Sequence, residues 1–294
     1  MTRLTLVAVC MLVGSPARAA EPTSPMTVGQ AVALGVVEGI TEYLPVSSTG
    51  HLLLMERVLG LGGPTGGAAE AYAICIQGGA ILAVLGLYRR RVGQMARGLV
   101  GRDRDGLRLL VNLLVAFVPA GLAGFLLDHW LERTLFGLWP VAVAWLIGGV
   151  GLLVFARKKG GWQSGRDLEA IDTRVAFLIG VGQCLALWPG TSRSLVTIVG
   201  GALAGLSLGA ALEFSFLLGV VTLGAATAYK ALHQGALIVS TFGWAVPLVG
   251  VVTATIAAAL AVRWLVGYLG RGGMAPFGWY RIALSAGTMA WLMS

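Results

Sequence analysis

Charge is what this chain has least of. Only 12% of its 294 residues are Asp, Glu, Lys or Arg, where a soluble domain carries about a quarter. With 57% hydrophobic residues and a mean hydropathy of +0.83, an ordinary water-soluble enzyme is excluded. A polytopic, all-α membrane protein is implied. Acidic residues are scarcer still, 13 against 21 Lys and Arg. The basic excess is concentrated rather than spread. Arg89, Arg90, Arg91, Arg97, Arg102, Arg104 and Arg108 form one cluster, and Arg157, Lys158, Lys159, Arg166 and Arg174 another. Both fall between apolar runs and read as cytoplasmic loops. No aromatic-basic surface of the kind that binds nucleic acid is present. Cysteine is also rare. Cys10, Cys75 and Cys184 lie far apart in apolar runs, which excludes a disulfide framework or thiolate metal site and leaves small packing residues.

The first residues have the form of a secretory signal, about 1–19. Arg3 precedes the short apolar run Leu4 to Val13, and Ala17-Arg18-Ala19 suits cleavage. The remainder, 20–294, reads as one membrane domain. Six spans are expected: 71–88, 109–127, 138–156, 210–229, 245–262 and 276–293. Short polar links such as His129 to Thr134 separate some of them, and Gly62 to Gly67 reads as a flexible loop. With the N-terminus outside the cytoplasm, both basic clusters fall inside.

Two further apolar stretches are broken in the middle. Val28 to Leu61 is interrupted by Glu38–His51, EGITEYLPVSSTGH, which holds two carboxylates, three hydroxyls and an imidazole. Glu38 and Glu42 stand four apart, hence on one helical face. Pro45 ends that helix, and Ser47, Ser48 or Thr49 can N-cap the next. Polar groups at membrane depth are costly and therefore informative. Val175 to Leu206 repeats the pattern around Trp188 to Ser194. Each stretch reads as a re-entrant helix pair followed by three spans, giving repeat halves of about 27–156 and 175–294. Pro45-Val46-Ser47-Ser48 aligns with Pro189-Gly190-Thr191-Ser192. Three crossings per half invert the second half, an inverted-topology repeat that brings Glu38–His51 opposite Arg193.

These stretches resemble the undecaprenyl-diphosphate phosphatase family of the integral-membrane bacitracin-resistance type. EGxTE with PVSSTGH stands as Glu38 to His51, and PGxSRS as Pro189 to Ser194. Other similar pieces are Ile76-Gln77 with Gly79, Gln183 to Pro189, Glu213 to Leu218, and Tyr280-Arg281. The resemblance covers about residues 27–294. Three departures stand out: Ala73 where the family has an acid, Leu195 where it has Gly, and the leader itself.

The resemblance implies removal of the terminal phosphate of undecaprenyl diphosphate, recycling the cell-wall lipid carrier and conferring bacitracin resistance. It implies a bacterial inner membrane location. The site is expected to open to the outer face. The lipid substrate and the bilayer are the partners, with a homodimer allowed. Glu38 and Glu42 suit a hard divalent cation, Mg²⁺ or Ca²⁺. Arg193 suits phosphate, with Ser192, Ser194, Ser47 and Thr49 as caps or donors to its oxygens. Ser48 is the candidate nucleophile and His51, three residues on, its base or the acid to the leaving group. Attack by His51 itself remains open. Gln77, Gln183 and Glu213 are supporting candidates, and Tyr280 and Arg281 read as an interfacial anchor. A polyprenyl-phosphate flippase is the alternative, since broken midplane helices also suit transport.

Overall fold

The computed structural model describes residues 26–61, 66–157 and 164–294. The signal-like leader, residues 62–65 of the expected Gly-rich loop, and Lys158 and Lys159 of the second basic cluster lie outside them. The helices are α1 (Val28–Thr41), α2 (Ser48–Val58), α3 (Gly66–Leu87), α4 (Arg89–Leu99), α5 (Arg104–Leu135), α6 (Leu138–Ala156), α7 (Thr173–Gln183), α8 (Arg193–Leu203), α9 (Leu208–Phe242), α10 (Ala245–Gly272) and α11 (Ala275–Met293). Short 3-10 turns cover Leu168–Ala170 and Cys184–Leu187. Among the described residues the only extended pairing is the isolated bridge between Arg166 and Leu206.

Both interrupted stretches break where the sequence reading put the breaks. Thr27 caps α1 through a reciprocal pair of bonds with Gln30, and Asp172 caps α7 through Val175 N. Val28 and Thr173 stand the same number of residues apart as Ser48 and Arg193, where α2 and α8 begin. In that register Ser48 corresponds to Arg193, one place from the alignment expected from the two prolines. The helix starts fix the register, and the prolines do not share it. The residues just before α2 and α8, Ser47 and Ser192, both have left-handed backbone, φ +74° and +77°. Such a conformation is uncommon for a residue with a side chain and concentrates at functional turns.

Among the described residues four helices are long and apolar enough to cross a membrane, or five if the bent pair α3 and α4 counts as one span. Six spans were expected. The sixth, 276–293, does form α11 but is not apolar enough to be among them, because it carries Arg281 and several small polar residues. The helices also outrun the expected links. α5 continues through His129 to Thr134 and α9 through Lys230. The first basic cluster is not a plain loop: Arg89–Leu99 is helical and turns 83° from the end of α3.

Small residues set the packing. α10 lies against α1 and α3, and a Cβ at Gly35 would stand 2.7 Å from the Gly250 carbonyl. Close backbone approach of this kind is how helices associate in lipid. The main core wraps the first broken turn, joining Tyr43, Leu44 and Val46 to Leu195 and Ile198 of α8, Phe216 of α9 and Phe277 of α11. A fixed apolar shell therefore surrounds a polar turn.

Candidate active site

The break between α1 and α2 places Glu42 at the end of one helix and Ser48 at the start of the next. Both are buried. Ser48 Oγ donates a short hydrogen bond to Glu42 Oε2. The other oxygen, Oε1, accepts from Arg193 Nη2 at 3.0 Å. One carboxylate thus joins the first residues of α2 and α8. Arg193 Nη1 donates to the Ser215 carbonyl at 2.9 Å, and the guanidinium lies on Gly219, where a Cβ would stand 2.6 Å from its nitrogens. Its face covers the Tyr43 ring at 5.6 Å. Polar contacts on both sides hold the arginine in one orientation.

Glu38 is fully buried, one turn back on α1 and beside the Glu42 carboxyl. Neither of its oxygens has a hydrogen-bond donor. An ionised carboxylate without a partner in the interior is costly. That orphaned pair of oxygens fits a hard cation bound between Glu38 and Glu42. Among the described residues no group of three or more acidic, His or Cys side chains gathers to hold a metal, either at this pair or elsewhere.

The remaining hydroxyls tie the two turns together. Ser194 Oγ donates to the Leu44 carbonyl at 2.9 Å and lies 3.0 Å from Ser192 Oγ. Ser192 caps α8 by accepting from Leu195 N at 3.3 Å. Ser47 is the N-cap residue of α2 but makes no side-chain cap. Thr49 is half-buried on the first turn of α2.

The expected Ser48–His51 bond is absent. His51 Nδ1 lies 2.6 Å from the Ser47 carbonyl and Nε2 lies 2.7 Å from the Tyr280 hydroxyl. Both ring nitrogens are engaged there, and Ser48 turns to Glu42 instead. Glu213 is also elsewhere. It takes Arg91 Nε of α4 at 2.7 Å, and Arg91 in turn reaches Glu169 at 2.7 Å. Gln183 is buried, with Nε2 unpartnered and Oε1 3.5 Å from Thr222 Oγ1. In the register of the two helix starts it stands where Glu38 does. Gln77 is half-buried on α3.

The residue that sequence reasoning misread is Arg281. It is no interfacial anchor, being fully buried. Nη2 donates to the carbonyls of Gly190 at 2.8 Å and Ala144 at 3.0 Å, while Nη1 reaches Pro45 O and Nε reaches Trp145 O, each at 3.4 Å. It therefore grips both broken turns. Trp145 adds a bond from Nε1 to Val46 O at 3.1 Å. The available signal was an arginine flanked by apolar residues in a span, which seldom lacks a task.

A family described as bacitracin resistance protein BacA matches residues 31–287. The chain belongs to the bacitracin resistance protein BacA family. Both broken turns and Arg281 lie inside the matched region. An undecaprenyl-diphosphatase of Sorangium cellulosum is 46% identical over 266 residues, covering 89% of this chain and 85% of the relative. One of Methylococcus capsulatus is 42% identical over 86% of this chain and 90% of its own length. Undecaprenyl-diphosphatase 1 of Chromobacterium violaceum is 42% identical over 85% and 91%. The BacA family likeness thus spans nearly all of the helical body.

Proposed function

We propose that this protein removes the terminal phosphate of undecaprenyl diphosphate, yielding undecaprenyl phosphate and inorganic phosphate. The observation that carries the reading is Glu42, which holds the Ser48 hydroxyl and the Arg193 guanidinium in one buried site. The relatives' shared name gives the substrate. Hydrolysis recycles the lipid carrier of cell-wall synthesis, and the family name ties it to bacitracin resistance.

In this reading Ser48 Oγ attacks the terminal phosphorus and Glu42 takes its proton. The bond from that phosphorus to the bridging oxygen breaks, and undecaprenyl phosphate leaves. A phosphate monoester has its second pKa near 6, so this leaving group needs little protonation. Water then opens the phosphoserine, which releases inorganic phosphate and restores Ser48. Arg193 neutralises charge on the phosphate oxygens, and the N-termini of α2 and α8 add backbone donors. His51 keeps the Ser47 turn in shape through its carbonyl bond. Ser192 and Ser194 hold the second turn against the first.

Glu38 and Glu42 would hold Mg²⁺ or Ca²⁺, since a carboxylate offers about four lone-pair sites and Glu38 has both oxygens bare. Such an ion supplies charge neutralisation to the diphosphate. The wider architecture in this reading is an inverted-topology repeat, each half a re-entrant pair followed by three helices. The short apolar helices α1, α7 with the 3-10 turn that follows it, and α8 support it. With the basic clusters inside, the site opens to the periplasmic face of the inner membrane.

The test is phosphate release from undecaprenyl diphosphate by purified wild type, Ser48→Ala and Arg193→Ala, with Mg²⁺ and with chelator. Release by wild type that is chelator-sensitive and lost in both variants is expected. Release retained by Ser48→Ala alone would move the nucleophile to His51 or water. No release from well-folded protein would turn the reading toward lipid transport.

A further inference from the structure

The side chains around Glu42 leave four polar atoms without a partner among the protein's own groups. Two are acceptors, the Glu38 oxygens. Two are donors, Arg193 Nε and the Tyr43 hydroxyl. Arg193 donates from Nη1 to Ser215 and from Nη2 to Glu42, while its Nε meets no acceptor. Tyr43 is fully buried, one residue beyond Glu42, with its ring under that guanidinium. The ring is fixed from a second side by Phe216, edge to face at 5.3 Å. Its hydroxyl lies within electrostatic reach of Glu38, Glu42 and Arg193.

A tyrosine in such a shell is more costly than a phenylalanine unless the hydroxyl meets an acceptor. The bare carboxylate of Glu38 does not serve, since both groups remain unpaired. What is lacking is an anionic acceptor beside two donors. We infer that the Tyr43 hydroxyl is a further substrate-binding group, donating with Arg193 Nε to a phosphoryl oxygen of the diphosphate. This rests on the phosphohydrolase reading for the identity of the anion. It differs from that reading in naming a residue outside the carboxylate, serine and arginine set.

The inference separates function from packing, because Tyr43→Phe removes one oxygen and keeps the ring. Three measurements on the full chain in detergent test it. In turnover of undecaprenyl diphosphate, Tyr43→Phe should raise KM roughly tenfold, the size of one hydrogen bond to a charged oxygen. Without ligand, the variant should melt at or above the wild-type temperature, since a partnerless buried hydroxyl is removed. With inorganic diphosphate added, wild type should gain more thermal stability than the variant. KM within twofold of wild type, or equal protection by inorganic diphosphate, would overturn the inference. So would a variant melting several degrees lower without ligand, which would reveal an internal partner for the hydroxyl. If wild type released no phosphate, the hydrolase reading would fail, while the inorganic diphosphate comparison would still test Tyr43.

Discussion

Arg193 Nη2 stands 3.0 Å from Glu42 Oε1, across 151 residues of chain. The pair is nearly sealed, with 10% of the arginine side chain and 5% of the glutamate accessible. Breaking a buried pair by removing one partner costs about 3–5 kcal/mol, because the other charge is left uncompensated. Glu42→Gln keeps one acceptor oxygen for Arg193, turns an NH2 donor toward Ser48 and removes the base. Phosphate release should fall at least ~100-fold, the low end of general base catalysis. The double variant Glu42→Gln/Arg193→Gln should melt higher than Arg193→Gln alone, which leaves a bare carboxylate. Thermal unfolding in detergent reads this directly.

Gly219 gives a test that touches no polar group. A Cβ there would stand 2.6 Å from the guanidinium nitrogens of Arg193, whereas one at Gly224 on the same helix meets nothing within 4 Å. Gly219→Ala should push Arg193 off Glu42 and Ser215, lowering turnover at least tenfold at a packing cost of about 1–3 kcal/mol. Gly224→Ala should match wild type in both. Equal activity of the two variants would show that the arginine's position is not needed.

Arg281→Met should be among the most damaging substitutions outside the carboxylate cluster. It strips the Pro45 and Gly190 carbonyls of their shared donor. Each buried group left unsatisfied costs about 1–3 kcal/mol. Arg281→Lys should restore little, because one ammonium cannot span the two turns as a planar fork does. A large loss of melting temperature in both, read by light scattering of detergent-purified protein, is the expected result.

The Arg91 network predicts an acid sensitivity away from the site. The Glu169 carboxyl is held below the usual carboxylate range by a hydrogen bond from its own backbone N–H, and then by Arg91. A group held low when folded adds stability above its unfolded pKa and loses it as pH falls through the folded one. Melting temperature should therefore be flat from pH 8 to about 5 and decline below about 4. Glu169 is half exposed, 48%, so the contribution is at most about 1 kcal/mol. Glu169→Gln should lower the plateau slightly and shallow the acid decline.

What the sequence made legible was chemistry that lipid makes expensive. The spacing of Glu38 and Glu42, the prolines and the hydroxyls marked both broken turns, and the residues flanking them became α1, α2, α7 and α8 as read. Helix ends were less legible. Polar residues such as His129 and Lys230 looked like links, yet a helix already satisfies its own backbone and has no reason to stop at them. Arg89 to Leu99 looked like a loop because charge was weighed above helical periodicity. Ser48 and His51 have the right spacing to meet, but each finds another partner, Glu42 for Ser48 and the Ser47 carbonyl and Tyr280 hydroxyl for His51. Arg281 was misread because its partners are backbone carbonyls from three distant segments, which no local pattern encodes.

The Glu42–Arg193 pair also constrains how the protein is made. Ribosomes add about 5–20 residues each second, so Glu42 leaves the synthesis machinery roughly 10–30 s before its counter-ion exists. During that interval the nascent first half carries two carboxylates that bilayer lipid will not accept ionised. It must wait protonated, at the interface, or shielded by an insertion factor. A chain truncated before residue 193 should thus fail to seat α1 at depth, and maturation of this membrane protein should hinge on its second broken turn arriving.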